Sequence, residues 1–337
     1  MVGRVSEGAE TASDAGQAGG RAAPGPRDPR RLFFLACDHR GAFQELFGVG
    51  ERPGAAGTDR VAAGKEAVLE GALRVAADDS DLAPGEVGVL VDEQFGTPRD
   101  LPARARAAGL RLAVPAERSG RARFEFEHGD DFPAHIRRLD PDFTKVLVRL
   151  NPEGDAAGNR VQLERLRRLS DWLGAERRGL LFELLVPAEP HQLAAAGGDV
   201  ARYDADLRPS LMLEAVRRVQ DAGIEADVWK VEGVEARADA EALVRQMRHG
   251  ARREDVRCIL LGRGAGDEDV ERWLRAAAPV DGVAGFAIGR GIWGPPLRAL
   301  LDGRLTRDEA VADVAARFRR PIAAFRAAAA GALQGAS

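Results

Sequence analysis

The sequence predicts an α/β fold, a (β/α)8 TIM barrel that forms a single domain over residues 31–330. Three observations carry that expectation. Eight short apolar runs follow one another between residues 32 and 288. Amphipathic segments with helical spacing separate them, which is the pattern of parallel strands joined by crossover helices. The conspicuous charged residues gather at the C-terminal ends of the runs, where barrel enzymes carry their chemistry. Eight such units over roughly 300 residues favour a closed barrel over an open doubly wound sheet.

Taken in order, the first run, 32–37, ends in Asp38-His39-Arg40-Gly41. The second, 87–91, leads into Asp92-Glu93-Gln94-Phe95-Gly96, and the third, 111–114, is short. The fourth, 144–150, carries Lys145 and Arg149; the fifth, 179–186, carries Glu183. The sixth, 226–231, carries Lys230, with Glu232 just beyond it. The seventh, 257–261, ends in Gly262-Arg263-Gly264, and the eighth, 283–288, in Gly289-Arg290-Gly291. Most are continuous and apolar, as strands covered by helices must be. Helical spacing marks 58–77, with Thr58 placed to cap it, then 158–173, 208–222, 238–249 and 267–277. The acidic start of 267–277 suits a helix N-terminus, and 306–330 reads as the closing helix or helices. Residues 1–30 are mostly Gly, Ala, Pro and polar side chains without a hydrophobic period, the composition of a disordered tail.

Composition narrows the function. A net charge of −4 argues against a general nucleic-acid binder, while leaving room for a small anionic substrate held by a few local cations. No apolar run is long enough to span a membrane, and no signal-peptide core opens the chain. The two cysteines, Cys37 and Cys258, make neither a disulfide framework nor a zinc site, as in a reduced cytoplasmic protein. His128, His135, His191 and His249 are scattered, with no HxH or HExxH spacing, so neither a metal nor a cofactor is expected. The charged segment 119–127 is a candidate loop over the barrel mouth. The oligomeric state is open, a homo-oligomer included.

Among 49 basic residues only Lys65, Lys145 and Lys230 are lysines. A chain that uses arginine for surface charge makes lysine conspicuous where an amine is needed, because guanidinium is a poor nucleophile. Lys65 falls in a polar helical stretch and is expected at the surface; the other two fall in apolar strands. Alternation puts Lys145, Leu147 and Arg149 on one face, and Val228, Lys230 and Glu232 on one face. A charge within a barrel strand must face the axis, where Asp38 and Glu183 can meet it. Such a cluster suits amine catalysis: a lysine beside a second cation attacks a ketone, and carboxylates move the protons. The alternative is a buried ion-pair network that only fills the barrel. The paired Gly-Arg-Gly turns after strands seven and eight fit a phosphate site, with Gly289, Arg290, Gly262 and Arg263 as its parts. Asp92 and His39, at their strand ends, are candidates for substrate contact.

In sequence order, Asp38-His39-Arg40-Gly41, Val91-Asp92-Glu93-Gln94-Phe95-Gly96, Thr144-Lys145-Val146, Phe182-Glu183-Leu184-Leu185, Asp227-Val228-Trp229-Lys230-Val231-Glu232 and Gly289-Arg290-Gly291-Ile292-Trp293 resemble class I (Schiff-base) aldolases of the tagatose-bisphosphate aldolase type. The match is closest to the aldolase-like module found alone, or fused to 5-dehydro-2-deoxygluconokinase, in inositol catabolism. It covers roughly residues 31–327 and includes no kinase part. The resemblance implies a Schiff base on Lys230, with Lys145 beside it favouring the free amine. It makes Glu183 and Asp38 the proton-transfer candidates and Gly289 with Arg290 the phosphate site. His39 stands where the tagatose-type pattern has glutamine, and Gly262-Arg263-Gly264 replaces a serine-bearing turn. The implied reaction is cleavage of 5-dehydro-2-deoxy-D-gluconate 6-phosphate to dihydroxyacetone phosphate and malonate semialdehyde, with Arg149 on the substrate carboxylate. A tagatose 1,6-bisphosphate aldolase and a non-catalytic sugar-phosphate-binding protein are the alternatives.

Overall fold

The apolar runs become eight parallel strands that close on themselves in sequence order, β1 (Leu32–Ala36), β2 (Val87–Leu90), β3 (Arg111–Pro115), β4 (Phe143–Arg149), β5 (Gly179–Leu185), β6 (Val228–Glu232), β7 (Arg257–Leu261) and β8 (Val283–Ile288). The computed structural model describes residues 31–334, apart from Arg252, Arg263 and Ala265 and the side chains of residues 332–334. The tail expected over residues 1–30 and the candidate Arg263 therefore lie outside the described residues. The ring closes where Leu32 of β1 pairs with Gly285 of β8.

Strand alternation separates two cores. Phe34, Leu181, Val228 and Ile259 are among the residues that fill the inside of the ring. A larger cluster, including Phe33, Leu69, Trp229, Leu260 and Phe286, packs the strands' outer faces against the helices. Both populations are apolar, so the strands read as unbroken hydrophobic runs.

The helices start where local chemistry satisfies their first N–H groups. Asp155 accepts from the Gly158 N–H and caps helix Ala156–Ala175. Glu189 and Gln192 form a reciprocal capping box on helix Pro190–Ala195. The helix expected at 58–77 instead runs Ala55–Asp78, with Gly54 at its N-cap and Thr58 already inside its first turn. The closing helix, Arg307–Gln334, packs on Ala55–Asp78, where Arg307 donates to Glu70 at 2.6 Å. Among the described residues no helix is long and apolar enough to cross a membrane.

Candidate active site at the barrel mouth

Above the apolar filling, at the C-terminal ends of the strands, the inward positions turn polar. β5 and β6 are in register such that Glu183 lies directly beside Lys230, and β4 pairs Leu147 with Glu183. Lys145, one inward position below Leu147, reaches the same carboxylate. Glu183 therefore bridges two ammonium groups, with Oε1 2.9 Å from Lys230 Nζ and Oε2 3.0 Å from Lys145 Nζ. Lys145 also meets Asp38 at 2.9 Å and Glu117 at 2.6 Å. All five groups are buried, or nearly so.

The electrostatics distinguish the two lysines. Burial alone would strip Lys145 of its proton, but Asp38, Glu117 and Glu183 together more than offset it and hold its pKa well above the usual range. Burial likewise works to protonate Asp38, yet Lys145, His39 and Lys230 pull its carboxyl below the ordinary range. Glu183 also lies low, because Lys145 and Lys230 outweigh its desolvation. Glu117 goes the other way: burial raises it, the Asp38 charge adds to that, and its partner Lys145 does not compensate. One oxygen each of Asp38 and Glu117, Oδ1 and Oε2, is buried without a hydrogen bond from any described residue.

Two cavities meet at this cluster. The larger, of about 360 Å³, is lined by Lys230, Glu183, His39, Gly262, Gly289 and Arg290. The second, of about 220 Å³, is lined by Asp38, Glu117, Lys145 and the arginines Arg118, Arg121 and Arg123. Glu183, Leu147, Arg149 and His39 border both, so the space is continuous past the two lysines. Arg149 is exposed and donates to the Arg121 carbonyl at 3.1 Å. The charged segment 119–127 does wall the mouth; a bridge between Glu117 and Phe126 and the burial of Phe124 hold it there.

On the larger cavity's rim, Gly289 is the N-cap of helix Arg290–Leu301. Its lack of a side chain is required, because a Cβ would overlap the Ala36 carbonyl oxygen and stand 2.9 Å from His39 Cε1. A Cβ at Gly262 would stand 3.1 Å from Ile288 Cγ2, a tight contact. The first N–H groups of a twelve-residue helix thus border the cavity beside the Arg290 guanidinium, a combination that suits an anion.

Several expectations need correction. Lys65 is fully buried, donating to the Cys37 carbonyl at 2.6 Å and paired with Asp92. It sits on the apolar stripe of its helix, level with Val61, Val68 and Ala72, which points it at the barrel wall. Asp92 is consequently no substrate ligand: it answers the Lys65 charge and caps the turn after β2 by accepting from the Phe95 N–H, lining neither cavity. Glu232 lines neither cavity as well, since Arg208 and the Val186 N–H hold it. His128 and His135 are not scattered; their rings stack 3.4 Å apart. Sequence reasoning missed Glu117, and missed Arg317 and Arg320 of the closing helix, which reach the larger cavity.

The profile of a family described as "Uncharacterized protein conserved in bacteria (DUF2090)" matches residues 20–329. No curated protein matches the chain. Among solved structures, a structural-genomics target from Corynebacterium glutamicum is 22% identical over 86% of this chain and 85% of that one, with a TM-score of 0.52. Fructose-bisphosphate aldolase from Plasmodium falciparum is 12% identical over 89% of this chain and 91% of that one, with a TM-score of 0.60. At these identities the likeness is one of fold, the TIM barrel.

Proposed function

The chain belongs to that bacterial family, DUF2090, and we propose that its barrel is a class I aldolase that forms a Schiff base on Lys230. The carrying observation is the inequality of the two lysines. Lys145 has three carboxylates around it and is the fixed cation. Lys230 touches Glu183 and opens onto the larger cavity. This favours Lys230 as the nucleophile and Lys145, which borders the second cavity, as its charged neighbour.

Glu183, 2.9 Å from Lys230 Nζ, takes a proton from the ammonium; the free amine attacks the substrate ketone, and Glu183 returns that proton to the carbinolamine hydroxyl as it leaves as water. The resulting iminium draws in the electron pair of the neighbouring C–C bond while a carboxylate removes the proton of the hydroxyl beyond that bond. Asp38 and Glu183 are the candidate bases, and Glu117 adds a third acid on the side of the second cavity. The aldehyde half departs, the enamine takes up a proton, and water hydrolyses the iminium to restore the amine. Lys145 stays charged throughout and offsets the carboxylates.

The two cavities fit a substrate with an anion at each end: a phosphate at Gly289 and Arg290, and a second anion near Arg149 or the arginines of segment 119–127. A phosphorylated keto sugar acid has that form. 5-Dehydro-2-deoxy-D-gluconate 6-phosphate would put its phosphate in the larger cavity and its carboxylate in the smaller, giving dihydroxyacetone phosphate and malonate semialdehyde. A ketose bisphosphate such as tagatose 1,6-bisphosphate also carries two anions, so the two are assayed side by side for triose phosphate release. The covalent step is tested by incubating the protein with dihydroxyacetone phosphate, reducing with borohydride and mapping the added mass. The expected label is on the peptide bearing Lys230; a label elsewhere, or none, removes the proposal.

A further inference from the structure

Away from the barrel mouth, the turn after β2, the turn before helix Phe132–Leu139 and that helix bring Glu93, His128 and His135 together. His128 Nε2 is 2.7 Å from Glu93 Oε2, and His135 Nδ1 is 3.2 Å from Glu93 Oε1. One donor atom from each residue lies within 4.8 Å of the other two. None of the three lines either cavity at the mouth. We propose that Glu93, His128 and His135 bind a divalent transition-metal ion, zinc by donor type, as a two-histidine, one-carboxylate site completed by water.

Two observations carry this. The donor set is the one zinc takes in three-ligand sites, and a tetrahedral ion with bonds of about 2.0–2.1 Å needs donors roughly 3.3 Å apart, an adjustment of about an ångström or so at partly buried side chains. The two imidazoles stack nearly parallel, with 2° between their planes, so one ring must turn to bring its donor onto the ion. Finally, a cation already occupies the place. The Arg138 guanidinium pairs with Glu93 and lies 2.8 Å from His135 Nδ1, the nitrogen that also stands 3.2 Å from Glu93 Oε1. Arg138 is more than half exposed, and a metal ion would displace it into water at little cost.

The site has a structural consequence. His128 ends the arm that begins at Glu117 and carries Arg118, Arg121 and Arg123 over the second cavity. Beside it, Glu127 holds Arg40 at 2.7 Å, and Arg40 reaches the Glu117 carbonyl at 3.0 Å. A metal ion would tie the end of this arm to helix Phe132–Leu139. The role is that of a clasp, and it is independent of the chemistry proposed for Lys230.

The test uses the full chain, freed of any histidine tag and dialysed against chelator, titrated with zinc by calorimetry and with cobalt by visible absorption. Expected are one equivalent of either ion, cobalt bands of the intensity of low-coordinate sites, and a rise in melting temperature with zinc. His128→Ala and His135→Ala should each weaken binding by more than about 100-fold, beyond what loss of a mere hydrogen-bonding partner costs. His191→Ala, at an exposed histidine paired with Glu153, should leave it unchanged. Arg138→Ala should tighten binding, because it removes the competing cation; this separates a metal site from a simple ion-pair cluster. Absence of saturable binding at one equivalent, or unweakened binding in His128→Ala with the fold intact by circular dichroism, overturns the proposal.

Discussion

Replacing Lys145 by methionine should reverse the way stability depends on pH. The buried ammonium lies within 2.6–3.0 Å of three carboxylates. Methionine keeps most of the volume and removes the charge, leaving Lys230 beside Glu183 and His39 beside Asp38. Breaking a buried ion pair by removing one partner costs about 3–5 kcal/mol. That cost applies when the acids are charged. In the natural chain Asp38 and Glu183 lie below their ordinary pKa values, so they contribute stability above the unfolded pKa that is lost as pH falls through the folded one. Without Lys145, desolvation and mutual repulsion dominate and their pKa values move above the unfolded ones. The acids then favour the folded state only while protonated, and stability falls as pH rises, by about 1.4 kcal/mol per unit for each proton released. Urea unfolding of both proteins at pH 5, 6, 7 and 8 measures this. The expected penalty is about 3–5 kcal/mol at pH 8, smaller by about 1.5 kcal/mol or more at pH 5. A penalty below about 1 kcal/mol that is equal at pH 5 and pH 8 would refute the electrostatic account of the cluster.

Three further outcomes follow from particular contacts. Arg290→Ala should raise the KM for a phosphorylated substrate by about 10–100-fold with a smaller change in kcat, as expected for the loss of a charge-assisted contact; an unchanged KM would remove Arg290 from the phosphate site. Gly289→Ala should destabilise the fold by about 1–3 kcal/mol, because the new methyl overlaps the Ala36 carbonyl, and thermal unfolding reads the loss directly. Glu117→Gln should lower kcat by about 100-fold or more and alter the limb of the pH–rate profile set by a carboxyl held above its normal pKa. A profile identical in shape to that of the natural chain would leave Glu117 as packing for Lys145.

Much of this architecture was legible before any coordinates. The runs of β7 and β8 coincide with their strands to the residue; after Arg257 both are apolar throughout, as strands covered on both faces are. The convergence of Asp38, Lys145, Glu183 and Lys230 followed from a period of two plus the cost of burying charge. Glu117 was not legible, since it stands two residues beyond Pro115, in a charged segment where no period applies. Lys65 could have been placed correctly: Val61, Val68 and Ala72 share its helical stripe, and the polarity of the stretch as a whole concealed that phase. Asp92 was misassigned for the same reason, its partner lying 27 residues away in sequence on another element. The meeting of His128 and His135 with Glu93 is tertiary, built from a turn, a helix and a distant strand end, and no spacing rule reaches it.

The three lysines are all interior, at 0%, 1% and 2% exposure, while arginine carries the positive charge outside. Reagents and modifying enzymes that acylate lysine therefore find no such target on the exterior of the barrel. Two of the three amines, Lys145 and Lys230, border the space at the top of the ring, so acylation of lysine in the folded protein reports on traffic through that opening. A protease that cuts after lysine would similarly leave the native chain whole and become a sensitive indicator of its unfolding.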